Sequence, residues 1–382
     1  MALAIGVIVA NLYYLQPLLH QISHDFHAST ANTSSLMTLV QAGYAVGLAL
    51  VLPMGDLIAR RRLVVGIFLT SALAMALGAL VGSFALFAVI AFVIGVTSVG
   101  GQVIIPLAAD LAAPAQRGRV IARVMTGLLL GILLSRIISG LVAQAVGWRA
   151  MYWAASGLLV VMALVLHRAL PDEPVRPHVR YRTLVAGSFS LLVTLPALRR
   201  RAWFGALIFA AFNTVWTTLS FHLSAAPFHY SNAVIGLFGL FGVAGVLAAN
   251  LAGHHADRQR SYASTIVAAL LFLGAFSVLS LGRDSFWGVA LGLVLLDAGM
   301  QGLQITNQSI IYSLAPDARS RVNSAYMVCA FTGASVGSYA AGLLYSSYGW
   351  TGDCWLGAAI GLGLLIPALF WRHTHVKPNL AG

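Results

Sequence analysis

Charged residues are scarce in this sequence. Asp, Glu, Lys and Arg make up 8% of its 382 residues, whereas soluble proteins average about 25%. With 59% hydrophobic residues, a soluble chain of this length has too few polar groups to cover its surface. Cysteine is also rare, and Cys329 and Cys354 both lie in apolar stretches, which excludes a disulfide scaffold or a zinc framework. These shortages exclude secreted, disordered and nucleic-acid-binding proteins and favour an integral membrane protein.

Long apolar runs fill most of the chain, and short polar or Gly/Pro-rich joints separate them. A helix that crosses a bilayer needs about 20 apolar residues, so the length leaves room for about twelve spans. We predict an all-α integral membrane protein. Its helices are predicted near residues 3–22, 34–57, 63–82, 85–111, 120–146, 150–169, 202–222, 232–252, 263–281, 286–314, 322–345 and 352–371.

Basic residues are concentrated in every second loop between the predicted helices. If the amino terminus is cytoplasmic, 19 of the 22 Lys and Arg residues lie at the cytoplasmic ends of the helices, beginning with Arg60, Arg61 and Arg62. We call these the arginine-rich ends. The positive-inside rule predicts such an imbalance. We therefore expect a multi-pass protein of a bacterial inner membrane with both termini cytoplasmic, and a net charge of +12 that faces anionic lipid rather than nucleic acid.

A polar linker separates two sets of helices. It begins in the Pro-rich stretch 171–174 and includes residues 183–198, which are too short and too interrupted by Pro196 to span. We predict an amphipathic helix lying on the membrane surface there. The predicted units are an N-terminal six-helix bundle at 1–170, a linker at 171–201 and a C-terminal six-helix bundle at 202–382. The two bundles are called the halves below.

The halves repeat one another at an offset of 202 residues, which lays residues 113–120 over 315–322. Uncommon residues elsewhere then coincide, namely Gln102 with Gln304, Gly131 with Gly333, Gly140 with Gly342, Trp148 with Trp350 and Asn11 with Asn213. Parallel repeats of this kind predict a pseudo-two-fold axis along the membrane normal and a binding site between the halves near the midplane. This is the architecture of a transporter.

Two joints at the arginine-rich ends resemble the signature loop of the major facilitator superfamily, Gly-x-x-x-Asp-Arg-x-Gly-Arg-Arg. They are residues 52–61 and 253–260. The resemblance extends over essentially the whole chain and implies the major facilitator fold, with two pseudo-symmetric six-helix bundles. It also implies a cytoplasmic gate, whose candidates are Asp56, Arg60, Arg61, Asp110, Arg117, Asp257, Arg258, Arg260 and Arg319.

The fifth predicted helix resembles the motif of drug–proton antiporters, Gly-x-x-x-Gly-Pro-x-x-Gly-Gly, in a degenerate form between Gly131 and Gly140. Ser135 and Arg136 stand where that motif has Gly-Pro. With residues 11–17 and the run beginning at Asp297, it resembles the arabinose-efflux and multidrug permease branch. That branch implies proton-coupled efflux of a small organic compound. The altered motif leaves open a proton-coupled importer or facilitator of a sugar or other metabolite.

Arg136 and Asp297 are the ionisable residues placed most deeply in the predicted spans. At a rise of about 1.5 Å per residue, both lie roughly 15 Å from the outer ends of their predicted helices, which are opposite the arginine-rich ends. Charges at such depth are costly in lipid and therefore indicate function. We predict that Asp297 alternately binds a proton and pairs with Arg136. A permanent ion pair that fixes packing is the alternative.

A polar stripe on the tenth predicted helix indicates the substrate cavity, because amides at helical spacing would be untenable against lipid. With residues added by the repeat, the cavity candidates are Asn11, Tyr14, Gln102, Asn213, Trp216, Gln301, Gln304, Asn307 and Gln308. Amide and aromatic groups suit a neutral or weakly charged organic substrate. Alternatively, the amides satisfy one another between helices.

Signatures of catalysis are missing. No phosphate-binding glycine loop follows a strand, and no nucleophile and base have enzyme spacing. His20, His24 and His27 have metal-like spacing, but we interpret them as solvated residues. We expect no enzyme activity, cofactor or metal, and predict a monomeric secondary transporter whose partners are a small molecule, protons and the bilayer. A polytopic membrane enzyme is the alternative from another class.

Overall fold

The computed structural model describes residues 1–113, 116–171, 180–245, 261–315 and 318–370, without the side chains of Asp56, Ser261 and Tyr262. Nearly all of these residues are helical, and no strand occurs among them. Helices follow from the composition, because a helix satisfies its own backbone hydrogen bonds where water is absent. Hydrophobic side chains face lipid or other helices without cost.

The elements of the N-terminal half are α1 Ala2–Ala10, α2 Leu19–Asp25, α3 Thr30–Leu50, α4 Arg60–Leu80, α5 Phe84–Thr97, α6 Gly100–Leu111, α7 Arg117–Val146 and α8 Trp148–Ala169. Helix α9, Tyr181–Thr194, follows within the predicted linker. The elements of the C-terminal half are α10 Pro196–Ser224, α11 Asn232–Gly245, α12 Ser261–Leu281, α13 Phe286–Leu314, α14 Arg319–Tyr348 and α15 Trp350–Phe370.

Ten helices among the described residues are long and apolar enough to cross a membrane. The first predicted span is instead divided into α1 and α2, with a turn at residues 11–15 and a 3-10 helix at Gln16–Leu18. The eighth, α11, is described as far as Gly245. The span predicted at 85–111 consists of α5 and α6, which meet at Ser98 and Val99. Residues 34–57 form α3 and a short 3-10 helix, Leu52–Asp56.

Matched glycines let matched helices touch within each half. A Cβ atom added to Gly131 of α7 would lie 2.3 Å from the carbonyl oxygen of Gly6 in α1, and one added to Gly333 of α14 would lie 2.1 Å from that of Ala206 in α10. Only glycine permits such approaches, which bring helix backbones into van der Waals contact. The repeat found in the sequence therefore has a structural counterpart.

The halves meet along two helix pairs, α3 with α14 and α7 with α11. A second pair of matched glycines lies there. A Cβ atom on Gly140 would lie 2.3 Å from the Asn232 carbonyl oxygen, and one on Gly342 would lie 2.5 Å from Ser34 Cβ. Each glycine thus contacts the opposite half. Residues near the centre of these pairs lie on the boundary between the two bundles.

Candidate functional site

Arg136 of α7 is buried, with 4% of its surface exposed. Its Nε donates a 2.7 Å hydrogen bond to Gln16 Oε1, while Nη2 has no partner. Its Cζ lies 3.7 Å from the centroid of the Trp216 ring and 5.1 Å from that of Tyr13. Cation–π contacts and one hydrogen bond therefore hold the guanidinium, and it retains unused donor capacity.

Asp297 of α13 is also buried, with 5% of its surface exposed, and its Oδ2 has no hydrogen-bond partner. Its side chain packs on α11, where a Cβ on Gly242 would lie 3.1 Å from Asp297 Oδ1 and one on Gly245 would lie 2.7 Å from Asp297 Cβ. The Trp216 indole Nε1 also faces the carboxyl group, outside the geometry of a full hydrogen bond. Asp297 thus faces the helix that borders the other half.

Arg136 and Asp297 are near enough for their charges to interact, but the described contacts include no ion pair between them. Gly239 lies against the Arg136 stem on α11, where an added Cβ would be 3.2 Å from Arg136 Cδ. The two side chains therefore pack against different turns of α11, about one turn apart. Glycines on this helix let both side chains pack closely against its backbone.

The amides matched by the repeat make different contacts. Asn213 of α10 accepts a 2.8 Å hydrogen bond from Gln41 Nε2 of α3, which joins the halves. Asn11 donates to Ser71 Oγ of α4 at 3.0 Å, within its own half. Gln41 was not among the predicted cavity residues. Its partner lies 172 positions away, and nothing in the local pattern identified the pair.

Gln102 lies beside an aromatic contact between the halves. It donates to the Tyr44 hydroxyl at 3.3 Å, and the Tyr44 ring lies 4.2 Å from that of Phe331 on α14. Tyr14, which precedes Gln16 by two residues, is also buried. Aromatic and amide groups from both halves therefore meet at this boundary.

Two residues of the predicted polar stripe form a network inside the C-terminal half. The Tyr326 hydroxyl donates to Gln304 Oε1 at 2.6 Å and accepts from Asn307 Nδ2 at 3.2 Å. Arg201 donates to Asn307 Oδ1 at 3.3 Å. In this conformation both amides of α13 are bonded to Tyr326 of α14 rather than to one another. Gln301 and Gln308 are half-buried on the same helix.

The candidate gate is described in part. Arg60 Nη1 donates to Asp110 Oδ2 at 2.5 Å, which links α4 to the end of α6. Arg117 and Arg319 are exposed at the first turns of α7 and α14, and Arg61 is half-buried. The side chain of Asp56 lies outside the described residues. So do Asp257, Arg258 and Arg260.

A second buried carboxyl group was not predicted from the sequence. Asp353, in the first turn of α15, is 1% exposed and accepts a hydrogen bond from Thr218 Oγ1 of α10. Both helices belong to the C-terminal half. Asp353 was overlooked because it stands only three residues after Trp350, close to the predicted helix end. The hydrogen-bond partner of Asp353 therefore belongs to the same bundle.

At the ends opposite the arginine-rich ones, Asp25 links α2 to α8. It accepts hydrogen bonds from Trp148 Nε1 at 3.1 Å and from Arg149. Partial burial opposes the charged form, but these hydrogen bonds and the Arg149 charge together hold the pKa of Asp25 below its ordinary value. His20, His24 and His27 are exposed around it.

Comparison with known proteins places this geometry among transporters. The family model of the Major Facilitator Superfamily matches residues 1–331 and 262–382. The chain is 42% identical over 375 residues to the uncharacterized transporter YgaY of Escherichia coli O157:H7. The matched region covers 98% of this chain and 95% of YgaY. It is 33% identical to the probable transporter SCO4007 of Streptomyces coelicolor, over 99% of this chain and 86% of that protein.

A more distant relative is the chloramphenicol resistance protein of Streptomyces lividans, 25% identical over 72% of this chain and 70% of that protein. Among solved structures, the nucleoside transporter NupG has a TM-score of 0.77 and 11% identity, covering 98% of this chain and 99% of NupG. A D-xylose–proton symporter has a TM-score of 0.72 and 14% identity, with coverage of 98% and 96%. These structures show that the chain has the twelve-helix fold predicted from the sequence.

Proposed function

The chain belongs to the major facilitator superfamily and is a multi-pass membrane transporter, and from that premise we propose that it couples proton movement to the passage of a small organic compound. Asp297 binds the proton. Arg136 supplies the opposing charge, and the halves rock to expose the site between them to each side in turn. We further propose that the arginine-rich ends face the cytoplasm, with both termini there, and that the transporter acts as a monomer in a bacterial inner membrane.

One observation carries the proposal: the buried carboxyl of Asp297 has an unpartnered oxygen beside, but not paired with, a buried cation of the other half. An uncompensated charge in such a site costs several kcal/mol. The free energy of the Asp297 site therefore depends on whether its carboxyl group binds a proton and on how near Arg136 lies. Because the two residues lie in different halves, rocking changes their separation. Proton binding and conformation are then coupled.

Asp353 shows why burial alone does not qualify a carboxyl group for this role. It is as buried as Asp297, but its hydrogen bond to Thr218 lies within the C-terminal half. Rocking of one half against the other leaves that contact intact. A group whose surroundings do not change between the two states cannot link a proton gradient to the change.

Two directions of transport have support. Export is favoured by the relative named a chloramphenicol resistance protein and by the resemblance of α7 to an antiporter motif. Import is favoured by Arg136 itself, which stands where that motif has proline. Helix α7 runs unbroken from Arg117 to Val146, so the site carries a cation in place of a kink. The sign of flux under a pH gradient separates the two.

The test is transport by purified protein in proteoliposomes. A compound library is screened for thermal stabilisation of the protein, and flux of each hit is then measured with and without an imposed pH gradient. We expect the gradient to drive flux in the native chain. In Asp297→Asn, which preserves shape and removes the titratable group, we expect ligand stabilisation to persist and gradient-driven flux to be lost.

Asp353→Asn is the matched control, because it removes an equally buried carboxyl from the same half. We expect gradient-driven flux to be retained in that variant. Equal loss in both variants would show that Asp297 has no special part. Absence of substrate-dependent flux under every condition would contradict the proposed function itself.

A further inference from the structure

A narrow cavity beside Arg136 is lined from both halves. Its walls are Gln16, Pro17, Arg136, Trp216, Leu219, Ser220 and Ile235. Four of these residues carry a buried polar side-chain atom without a hydrogen-bond partner: Gln16 Nε2, Arg136 Nη2, Trp216 Nε1 and Ser220 Oγ. Each of the four is at most 4% exposed. Buried polar groups are nearly always paired, so such a cluster around one cavity is unusual.

The unpartnered atoms are hydrogen-bond donors. Guanidinium and indole nitrogens donate only. The orientation of the Gln16 amide follows from its contact with Arg136: since Arg136 Nε must donate, the atom 2.7 Å away is the oxygen, and Nε2 is left free. The Ser220 hydroxyl can donate as well. The cavity therefore offers one positive charge and several N–H and O–H donors.

We propose that this cavity, which has a volume of about 10 Å³ in this conformation and so holds about one water molecule, widens as the halves rock and binds the carboxylate of an organic anion. Organic anions are then the substrate class of the transporter. A carboxylate has two oxygens and about four acceptor positions, which match the free donors. A guanidinium pairs with a carboxylate more strongly than with a neutral acceptor. Trp216, Leu219 and Ile235 line the cavity and provide apolar contact for the organic part. The proposal rests on the proposed transport function.

The charge balance gives this site a consequence for coupling. Arg136 and Asp297 are the two buried charges that interact at the boundary of the halves. An anion bound to Arg136 adds a second negative charge beside the Asp297 carboxylate, which is costly at low dielectric. Proton binding by Asp297 removes that excess. Anion and proton therefore bind together and move in the same direction. Of the two proposed directions, an anionic substrate thus favours import.

The first measurement uses small carboxylates and their neutral twins on the full-length protein in detergent. Acetate and benzoate are compared with acetamide and benzamide at constant ionic strength, with thermal stabilisation as the readout. Hydrogen bonds to charged groups are stronger than hydrogen bonds between neutral groups. We therefore expect the half-saturating concentration of each acid to be roughly tenfold or more below that of its amide. Equal stabilisation by acid and amide, or none by either acid, would overturn the proposal.

Two conservative variants locate the site. Gln16→Glu places a carboxylate of the same shape against Arg136 and is expected to abolish benzoate stabilisation. Ser220→Ala removes one donor and is expected to weaken it about tenfold. Ser224→Ala is the control, because that hydroxyl, one turn along α10, is bonded to its own helix backbone and does not line the cavity. Unchanged benzoate affinity in Gln16→Glu would place the anion elsewhere and contradict the assignment.

Failure of the inference and failure of the proposed function give different results. If neutral compounds show proton-driven flux while carboxylates bind no better than their amides, the anion site is wrong and proton coupling stands. If benzoate binds through Gln16 and Ser220 but a pH gradient drives no flux, the site stands and the coupling is wrong.

Discussion

The two halves of the chain, related by an offset of 202 residues, agree in their packing glycines and differ in their buried charges. Gly131 and Gly333 admit the first helix of their own half, while Gly140 and Gly342 contact the opposite half. Gly147 and Gly349 both have positive φ, at 89° and 60°. These shared positions build two similar bundles that meet at a common boundary.

The buried charges, unlike the glycines, are not repeated between the halves. The position that matches Arg136 is Ser338, and the position that matches Asp297 is Gly95. The first span of the N-terminal half is broken at residues 11–15, whereas its counterpart α10 runs unbroken from Pro196 to Ser224. Symmetry therefore serves the scaffold, whereas the proposed coupling depends on one cation in one half and one carboxyl group in the other.

The largest effect on stability is expected where the halves agree. Gly131→Ala and Gly333→Ala each place a Cβ within 2.3 Å of a carbonyl oxygen, and overpacking of this kind costs about 1–3 kcal/mol. We expect both variants to lower the melting temperature by similar amounts. Gly66→Ala and Gly274→Ala are the controls, one in each half, because an added Cβ meets nothing within 4 Å there.

A large loss in only one of the two crowded variants would show that the halves do not share their packing. Losses as large in the controls would show that helix glycines matter for some reason other than close approach. The comparison is made in detergent by thermal unfolding, with protein and lipid content held constant.

A smaller effect is expected where the halves differ. Arg136→Gln and Asp297→Asn each remove one of two interacting buried charges, and the double variant removes both. Two charges roughly 8 Å apart couple by about 2 kcal/mol at an effective dielectric constant near 20. The double variant should therefore be more stable than the sum of the single losses by that amount. Strict additivity in equilibrium unfolding would show that the two charges do not interact.

The smallest effect concerns the matched tryptophans. Trp148 donates to the titratable Asp25, whereas Trp350 donates to the backbone carbonyl of Leu279 at 3.1 Å. Because the pKa of Asp25 is held below its ordinary value, its contribution is present above about pH 4 and is lost as the pH falls through the folded-state pKa. The exposed site limits that contribution to less than about 1 kcal/mol.

Thermal melts of the native chain and Asp25→Asn across acidic pH check this effect. The native chain should be the more stable near neutrality, and the difference should shrink as the pH falls. A difference that is constant with pH would show that the aspartate acts through shape rather than charge.

Hydropathy and repeat spacing were sufficient to predict the twelve-helix fold, because an apolar run of about 20 residues has few other solutions in lipid. They did not predict the break in the first span, because residues 11–15 contain no Gly or Pro to indicate one. Arg201 was assigned to the linker, but its guanidinium contacts Thr265 and Asn307 inside the bundle. A long side chain can bridge helices from beyond a predicted boundary.

Depth in the membrane identified Arg136 and Asp297, because it depends only on position along a helix. Partner choice depends on three-dimensional packing, which is why the bonds of Arg136 to Gln16 and of Gln41 to Asn213 were not predicted. Helical spacing likewise placed Gln304 and Asn307 on one face but could not show that Tyr326 lies opposite them. Whether these amides also meet substrate stays a prediction.

The most direct test of the central claim observes the proton on Asp297. Infrared difference spectra of the reconstituted protein, recorded on adding a transported ligand, report the C=O stretch of protonated carboxyl groups. We predict a ligand-dependent carboxyl band in the native chain that is retained in Asp353→Asn and missing in Asp297→Asn. A ligand-dependent band that persists in Asp297→Asn, or a native spectrum without one, would contradict the assignment of Asp297 as the residue that couples the proton to transport.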